Sequence, residues 1–247
     1  MKQHSMDVAA VVPAAGSGTR FTGSPSKLFA PLHGRPLLAH TLAALQVSPD
    51  IRWIIVVVRA GEQARMRTFL KQHAITKAVL PCVGGASRAA SVARGCAVVP
   101  RAARWVLIHD GARPCVTPDV IARAVRAARR EGAVACGLPA TVTVKAVDER
   151  QGVRLTLDRE SLWLVQTPQV FRREWITQAL TRAGSQLEQF PDDAAILEAA
   201  GFPVRMVHGD PRNIKVTTKD DLILAETILS HRVQHTAQSI KHKAQSR

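Results

Sequence analysis

Arg20 and Lys27 stand seven residues apart in the stretch VVPAAGSGTRFTGSPSK, residues 11–27, which also carries glycines at 16 and 18. Glycine lets backbone N–H groups approach an anion with no Cβ in the way. Two cations beside such a loop suit phosphate. Neither familiar glycine-rich loop fits, however. The dinucleotide fingerprint G-x-G-x-x-G would place Phe21 where a third glycine allows close helix–strand packing. The P-loop spacing is met by Gly18 and Gly23, but Ser24 and Pro25 occupy the positions of Lys and Ser/Thr. What remains is a phosphate-handling loop of another kind.

Further along, Asp110 follows the apolar run WVLI at its carboxyl end, the place where open α/β sheets bind ligands. Lys215 sits in the strand-like motif NIKVTT. The elements that must position these groups alternate in period. Strand-like runs are predicted at 8–14, 53–58, 77–80, 105–110 and 133–139, with helices at about 36–47, 61–72, 87–98 and 117–131. Pro36 suits a first helical turn, and Thr117-Pro118-Asp119 reads as an N-cap followed by Pro at N1. Continuous apolar strands separated by helices predict an α/β fold, a Rossmann-like, mostly parallel sheet with helices on both faces.

After Pro139 the pattern changes. TVTVKAV and GVRLTL, separated by the turn-rich DERQ, read as an inserted β-hairpin arm at about 140–160. Helices return near 172–183, 192–200 and 218–230, with one more strand at 203–208. Residues 1–230 are therefore expected to form a single domain. The tail 231–247, with four Lys/Arg and no acid, is expected to be disordered.

The bulk composition narrows the classes. At 247 residues and 46% hydrophobic, the chain can bury a large core. No apolar stretch approaches the ~20 residues of a membrane helix, and the polar opening MKQHSMD shows no signal peptide. Cys82, Cys96, Cys115 and Cys136 form no CxxC pair, which predicts reduced thiols, a cytoplasmic location and no zinc site. The net charge of +15 attracts anions, and the tail supplies +4 of it, leaving +11 on the body. A nucleic-acid-binding protein is the rival class. With no Tyr and aromatics at 4%, stacking platforms are scarce, and no recognition motif such as an RRM or zinc finger is present.

AAGSGTR with the downstream Lys27 resembles the signature of nucleotidyltransferases that make nucleotide-activated sugars and alcohols. GGASRAASV (84–92), HDGARP (109–114), TLDRESLWLVQTPQVF (156–171) and NIKVTTKDDL (213–222) narrow the resemblance to the 2-C-methyl-D-erythritol 4-phosphate cytidylyltransferase family, over roughly residues 8 to 230. The resemblance implies transfer of a cytidylyl group from CTP to the alcohol phosphate in the non-mevalonate isoprenoid pathway. It implies that Arg20, Lys27 and Lys215 stabilise the triphosphate and the transition state. Ala14, Ala15, Gly16 and Gly18 would hold the nucleotide from the loop, and Gly84, Gly85, Arg88 and Ser91 would cradle cytosine and ribose. Asp110 would bind nucleotide through Mg2+, which accepts few carboxylates plus phosphate oxygens. Arg113, Thr143 and Thr167 would hold the alcohol phosphate. The chain would be a homodimer whose arm carries Arg159 into the neighbouring site.

The chain departs from that family's pattern where Ser26 precedes the loop lysine, Val142 precedes Thr143, Pro191 stands for a substrate-contacting threonine, and Ala90 replaces a common polar residue. All but Ser26 and Ala90 fall on the alcohol-phosphate half. A cytidylyltransferase acting on another polyol phosphate, such as ribitol 5-phosphate, is therefore the alternative.

Overall fold

Val8, Ala10 and Val12 pack into one hydrophobic cluster while Ala9 and Val11 pack into a second. A strand of β-branched and small residues with both faces buried belongs in the middle of a covered sheet, and β1 (Val8–Pro13) lies there. The computed structural model describes residues 6–16 and 27–245, with side chains as far as Arg232. Gly18 and Arg20 lie outside the described residues.

In chain order the elements are β1, a small hairpin of β2 (Pro31–Leu32) and β3 (Arg35–Pro36), α1 (Leu37–Val47), β4 (Ile51–Val58), α2 (Gln63–Gln72), β5 (Cys82–Val83), α3 (Arg88–Ala97), β6 (Trp105–Ile108), α4 (Pro118–Glu131), β7 (Ala133–Pro139), β8 (Val144–Val147), β9 (Val153–Leu157), β10 (Trp163–Arg172), α5 (Arg173–Ala183), α6 (Asp193–Ala199), β11 (Arg205–His208) and α7 (Lys219–Gln245). Among the described residues seven strands form one sheet in the order β11-β7-β10-β6-β1-β4-β5. All neighbours are parallel except β10, which runs antiparallel to both β6 and β7. Helices α1, α2, α4 and α7 bury their apolar residues in the first cluster, and α3, α5 and α6 in the second. The sheet is thus covered on both faces, as the alternating pattern predicts.

The structure departs from expectation at three places. The run at 77–80 forms no strand. It contributes a single bridge, Ala78 to Ile54, and the edge strand is Cys82–Val83. Strand β10 is not anticipated at all, and it is the strand that joins the two halves of the sheet. The tail, expected to lack regular structure, continues α7 through Gln245; residues 231–245 contain neither Gly nor Pro to stop a helix. The arm is present as expected, β8 pairing with β9 in a separate two-stranded sheet.

Helix α3 approaches the sheet closely because Gly95 has no side chain. A Cβ there would stand 2.6 Å from Val11 Cγ1 and 2.8 Å from Val57 Cγ2, both on wholly buried strand residues. Gly95→Ala is expected to push α3 off β1 and β4 and to destabilise the protein by about 1–3 kcal/mol despite the better helix propensity of alanine. Urea unfolding of the variant beside the natural protein measures this.

Candidate active site

The carboxyl ends of β1, β4, β5 and β6 lie on one side of the sheet because these strands are mutually parallel. A cavity of about 460 Å³ opens there. Ala14 N–H donates to Val57 O at 2.7 Å, and Gly84 N–H donates to Val58 O at 2.7 Å, so both glycine-containing segments leave the sheet at the cavity floor. Ala14, Ala15 and Gly16 line one wall with Lys27. Gly85, Arg88 and Ser91 line another, and Asp110 and Lys215 complete it.

Close packing explains the glycine pair at 84 and 85. A Cβ on Gly84 would meet Ser91 Oγ at 2.6 Å and Ala15 Cβ at 2.9 Å, and one on Gly85 would meet Ala90 Cβ at 2.5 Å. Buried Ser91 binds this turn to α3, its Oγ accepting from Gly85 N–H at 3.1 Å. Ser87 caps the helix by accepting from Ala90 N–H. Ala86, Ser87 and Arg88 line the cavity, so the positive N-terminal end of α3 lies on its wall, a setting that favours an anion.

Asp110 is the centre of the electrostatics. Its Oδ1 lies 2.9 Å from Arg88 Nε, its Oδ2 2.8 Å from Lys215 Nζ and 3.7 Å from Arg113 Nε. Burial by itself would raise this carboxyl's pKa. Arg88, Lys215 and Arg113 overcome that and hold it well below the usual carboxylate range. Arg88 also forks onto Asp193, Nη1 to Oδ1 at 3.1 Å and Nη2 to Oδ2 at 2.9 Å. Arg88, Arg113 and Lys215 against Asp110 and Asp193 leave one net positive charge, and Lys27 and Arg59 bring two more to the cavity wall. A polyanion is the ligand such a surface attracts.

The segment carrying Lys215 is held to the site at several points. Val216 N–H donates to Ala112 O at 2.9 Å. Arg113 Nη1 donates to Asn213 O at 2.9 Å, and buried Asn213 donates Nδ2 to Thr167 O at 2.7 Å. On the far side, Asp221 Oδ2 accepts from Thr217 N–H, Thr217 Oγ1–H and Thr218 N–H. Bonds at Asn213 before the lysine and at Val216, Thr217 and Thr218 after it fix where its ammonium can reach.

Beneath Asp110, Thr167 Oγ1 accepts from the Asp110 N–H at 3.1 Å and donates to His109 Nδ1 at 3.0 Å; His109 Nε2–H faces Arg113 O at 3.4 Å. This network assigns the Nε2–H tautomer. Burial, reinforced by the Arg113 charge, pushes His109 down to about 4, so the ring is neutral at physiological pH. It carries no proton to the cavity.

Of the residues singled out in the sequence, Ala14, Ala15, Gly16, Lys27, Gly85, Arg88, Ser91, Asp110 and Lys215 share this cavity, with Gly84 just behind its wall. Arg113 and Thr167 are buried beneath Asp110 rather than on the cavity lining. Thr143 and Arg159 are exposed on and beside the arm and do not line it. Sequence reasoning missed Arg59, whose Nε and Nη2 donate to Ala15 O at 3.0 Å and Gly16 O at 2.9 Å. It also missed Asp193 and Thr217. Position directly after the apolar strand β4 was the available signal for Arg59.

The family model described as 2-C-methyl-D-erythritol 4-phosphate cytidylyltransferase matches residues 8–231. A protein of that name from Desulforamulus reducens is 41% identical over 227 residues, covering 92% of this chain and 97% of the relative. Another from Syntrophus aciditrophicus is 42% identical over 223 residues, covering 90% and 95%. Among solved structures, 4-diphosphocytidyl-2C-methyl-D-erythritol synthase from Anaerococcus prevotii superposes with a TM-score of 0.79 at 28% identity, covering 90% of this chain and 98% of that one. The cytidylyltransferase from Thermus thermophilus gives 0.72 at 33% identity, with coverage of 90% and 98%.

The neutral histidine generates a pH prediction. Between its ordinary value of 6.5 and about 4, the unfolded chain takes up a proton that native His109 refuses. This contribution to stability is therefore complete above pH 6.5 and is lost as pH falls toward 4, by about 3 kcal/mol. The Asp110 contribution is lost only at lower pH, below 3.8. Urea unfolding at about pH 7.5 and about pH 4.5 is expected to show a smaller acid loss in His109→Gln than in the natural protein.

Proposed function

The chain belongs to the family of 2-C-methyl-D-erythritol 4-phosphate cytidylyltransferases, and from that membership we infer how its residues divide the work. The reaction is transfer of a cytidylyl group from CTP to 2-C-methyl-D-erythritol 4-phosphate, a step in isoprenoid precursor biosynthesis. A 4-phosphate oxygen bonds to the α-phosphorus, the bond to the bridging oxygen breaks, and pyrophosphate leaves with that electron pair. The nucleophile is already an anion, so no general base is required. Catalysis consists of bringing two polyanions together and offsetting the charge that builds up on phosphorus.

The observation that best supports this division is the cation cluster around Asp110 at the strand ends. Lys27 and Lys215, with Arg20, stabilise the triphosphate and the transition state. The turn at Gly84–Gly85, tied to Ser91, cradles the cytidine. Arg88 acts here by fixing Asp110, because two carboxylates occupy its guanidinium. Arg113, Thr143, Thr167 and Arg159 remain the residues proposed for the alcohol phosphate.

Mg2+ is part of the reading. Among the described residues no three His, Cys, Asp or Glu side chains group together, so an all-protein metal cage is not what the residues offer. A single carboxylate facing a phosphate cavity does fit Mg2+, which keeps water and phosphate oxygens for its other positions. Asp110 is the residue that would hold it, in competition with Lys215 for Oδ2. Bound there, the ion supplies neutralising charge to the triphosphate. Among the described residues no helix is long and apolar enough to cross a membrane, and four unpaired cysteines support a cytoplasmic setting.

A homodimer is proposed through the arm. Val142, Val147, Val153 and Leu155 are each more than half exposed, and an isolated two-stranded hairpin is marginal in water. A two-fold partner is the simplest cover. Arg159 is exposed at the base of the arm, Nη1 donating to Thr141 O at 3.3 Å, and in such a dimer it would serve the neighbouring site.

Pyrophosphate release, assayed over the four nucleoside triphosphates with and without Mg2+, is expected only with CTP, the metal and 2-C-methyl-D-erythritol 4-phosphate. Faster turnover of ribitol 5-phosphate would overturn the substrate and keep the reaction class. Lys27→Ala is expected to lower kcat by at least ~10²-fold with the fold intact. Mixing Lys27→Ala with Arg159→Ala subunits tests the arm. If Arg159 acts across the dimer, one site of each mixed dimer is intact and activity returns; an inactive, verified mixed dimer places Arg159 in its own subunit's site.

A further inference from the structure

Asp193 is a wholly buried carboxylate that the reaction just described does not use. It is the first residue of α6, a helix packed in the second core cluster with α3 and α5. Both its oxygens accept from Arg88, at 3.1 and 2.9 Å, while the third guanidinium nitrogen, Nε, donates to Asp110 Oδ1 at 2.9 Å. One planar fork therefore spans two carboxylates, one deep in the fold and one on the cavity wall.

The start of α6 is itself fastened to the sheet. Asp192 Oδ1 accepts from Ala195 N–H as the N-cap, and its Oδ2 accepts from Gln169 Nε2 at 2.8 Å. Gln169 Oε1 accepts from Ala194 N–H at 3.0 Å. Gln169 is wholly buried on β10 and pairs in register with Ile108, the residue that leads into His109 and Asp110. Asp193 and Asp110 are thus referred to the same pair of strands.

Stability is a poor reason to bury this ion pair. Desolvating a carboxylate costs about as much as the pairing returns, and apolar replacements are often neutral or better. Burial indeed pushes the Asp193 carboxyl up, against the pull of Arg88. What a bidentate fork does provide is fixed orientation. Without it, Arg88, whose side chain is 32% exposed, could swing toward a triphosphate and draw the Asp110 carboxylate with it.

We propose that Asp193 is a positioning residue for cytidylyl transfer: through the Arg88 guanidinium it locks the Asp110 carboxylate so that Oδ2 stays directed at Lys215. The proposal rests on the reading of the cavity as the transfer site. The chain of contact is Asp193 to Arg88, Arg88 to Asp110, and Asp110 to Lys215, each link a charged hydrogen bond of 3.1 Å or less.

A double-mutant cycle tests it, with pyrophosphate release from CTP as the readout and circular dichroism confirming the fold at the assay temperature. Asp193→Asn is expected to lower kcat/KM by about 10- to 100-fold. Combined with Arg88→Gln, it is expected to cost no more than Arg88→Gln alone, within about threefold, because the two act through one contact. Arg88→Lys keeps the charge but cannot bridge two carboxylates, and it is expected to lose as much as Asp193→Asn; it carries the test if that variant fails to fold. Wild-type activity in Asp193→Asn, additive losses in the double variant, or wild-type activity in Arg88→Lys would each overturn the proposal. An inactive natural protein would instead overturn the reading of the cavity itself.

Discussion

A carboxylate nearly sealed from water has to be neutralised, and Asp110 is neutralised by one cation from its own loop and two from distant parts of the chain. Arg88 comes from the start of α3, Arg113 from the loop after β6, and Lys215 from the segment before α7. Removing all three would leave a buried charge uncompensated, at a cost of several kcal/mol. The three segments are therefore bound to a common point. Their backbones follow: Val216 hangs on Ala112, Arg113 on Asn213, and the turn at Gly85 on Ser91. The cavity exists where it does because these segments converge on one anion.

The same arrangement sets the character of the site toward its substrates. Cations committed to Asp110 are held in place before any ligand arrives, so little reorganisation is left for the moment of reaction. His109, which lies directly beneath, contributes shape without charge. Its neutral ring donates to Arg113 O and accepts from Thr167, and it adds no further positive charge to a cluster that already has an excess.

Much of this was legible in the residues. An apolar run closed by Asp110 marks a strand end, whereas the tight packing at Gly84 and Gly85 shows only in the fold, and a Cβ on Gly16 would meet nothing within 4 Å. Local periodicity also found most helices to within a residue or two. Strand β10 was not legible. Its sequence, WLVQTPQVFR, mixes polar residues and a proline into the run, and its pairing register slips between Val165 and Gln169. Its strand character comes from neighbours on both sides and not from its own pattern. Asp193 and Arg59 were missed for a related reason. Their partners lie 105 and 44 residues away, at Arg88 and Ala15, and no spacing rule reaches that far. Arg20 stands out by its motif alone and lies outside the described residues, while Gly16 and Lys27 at the two ends of its loop line the cavity.

The place of β10 also bears on how the chain comes together. Ile108 and Ala135 pair in register with Gln169 from either side. Until residues 163–172 have left the ribosome, β6 and β7 each present an unpaired edge. The parallel block β5-β4-β1-β6 can form early, but it ends in an open row of backbone donors and acceptors. Such edges invite pairing with other chains, and a sheet closed by a late, distant segment has a high contact order and a slow final step. The antiparallel strand that brings Gln169 and Thr167 to the site is thus also the piece whose arrival bridges β6 and β7, with β11 left to cover the outer edge of β7. A growing chain is most exposed to chaperones and to aggregation during that interval.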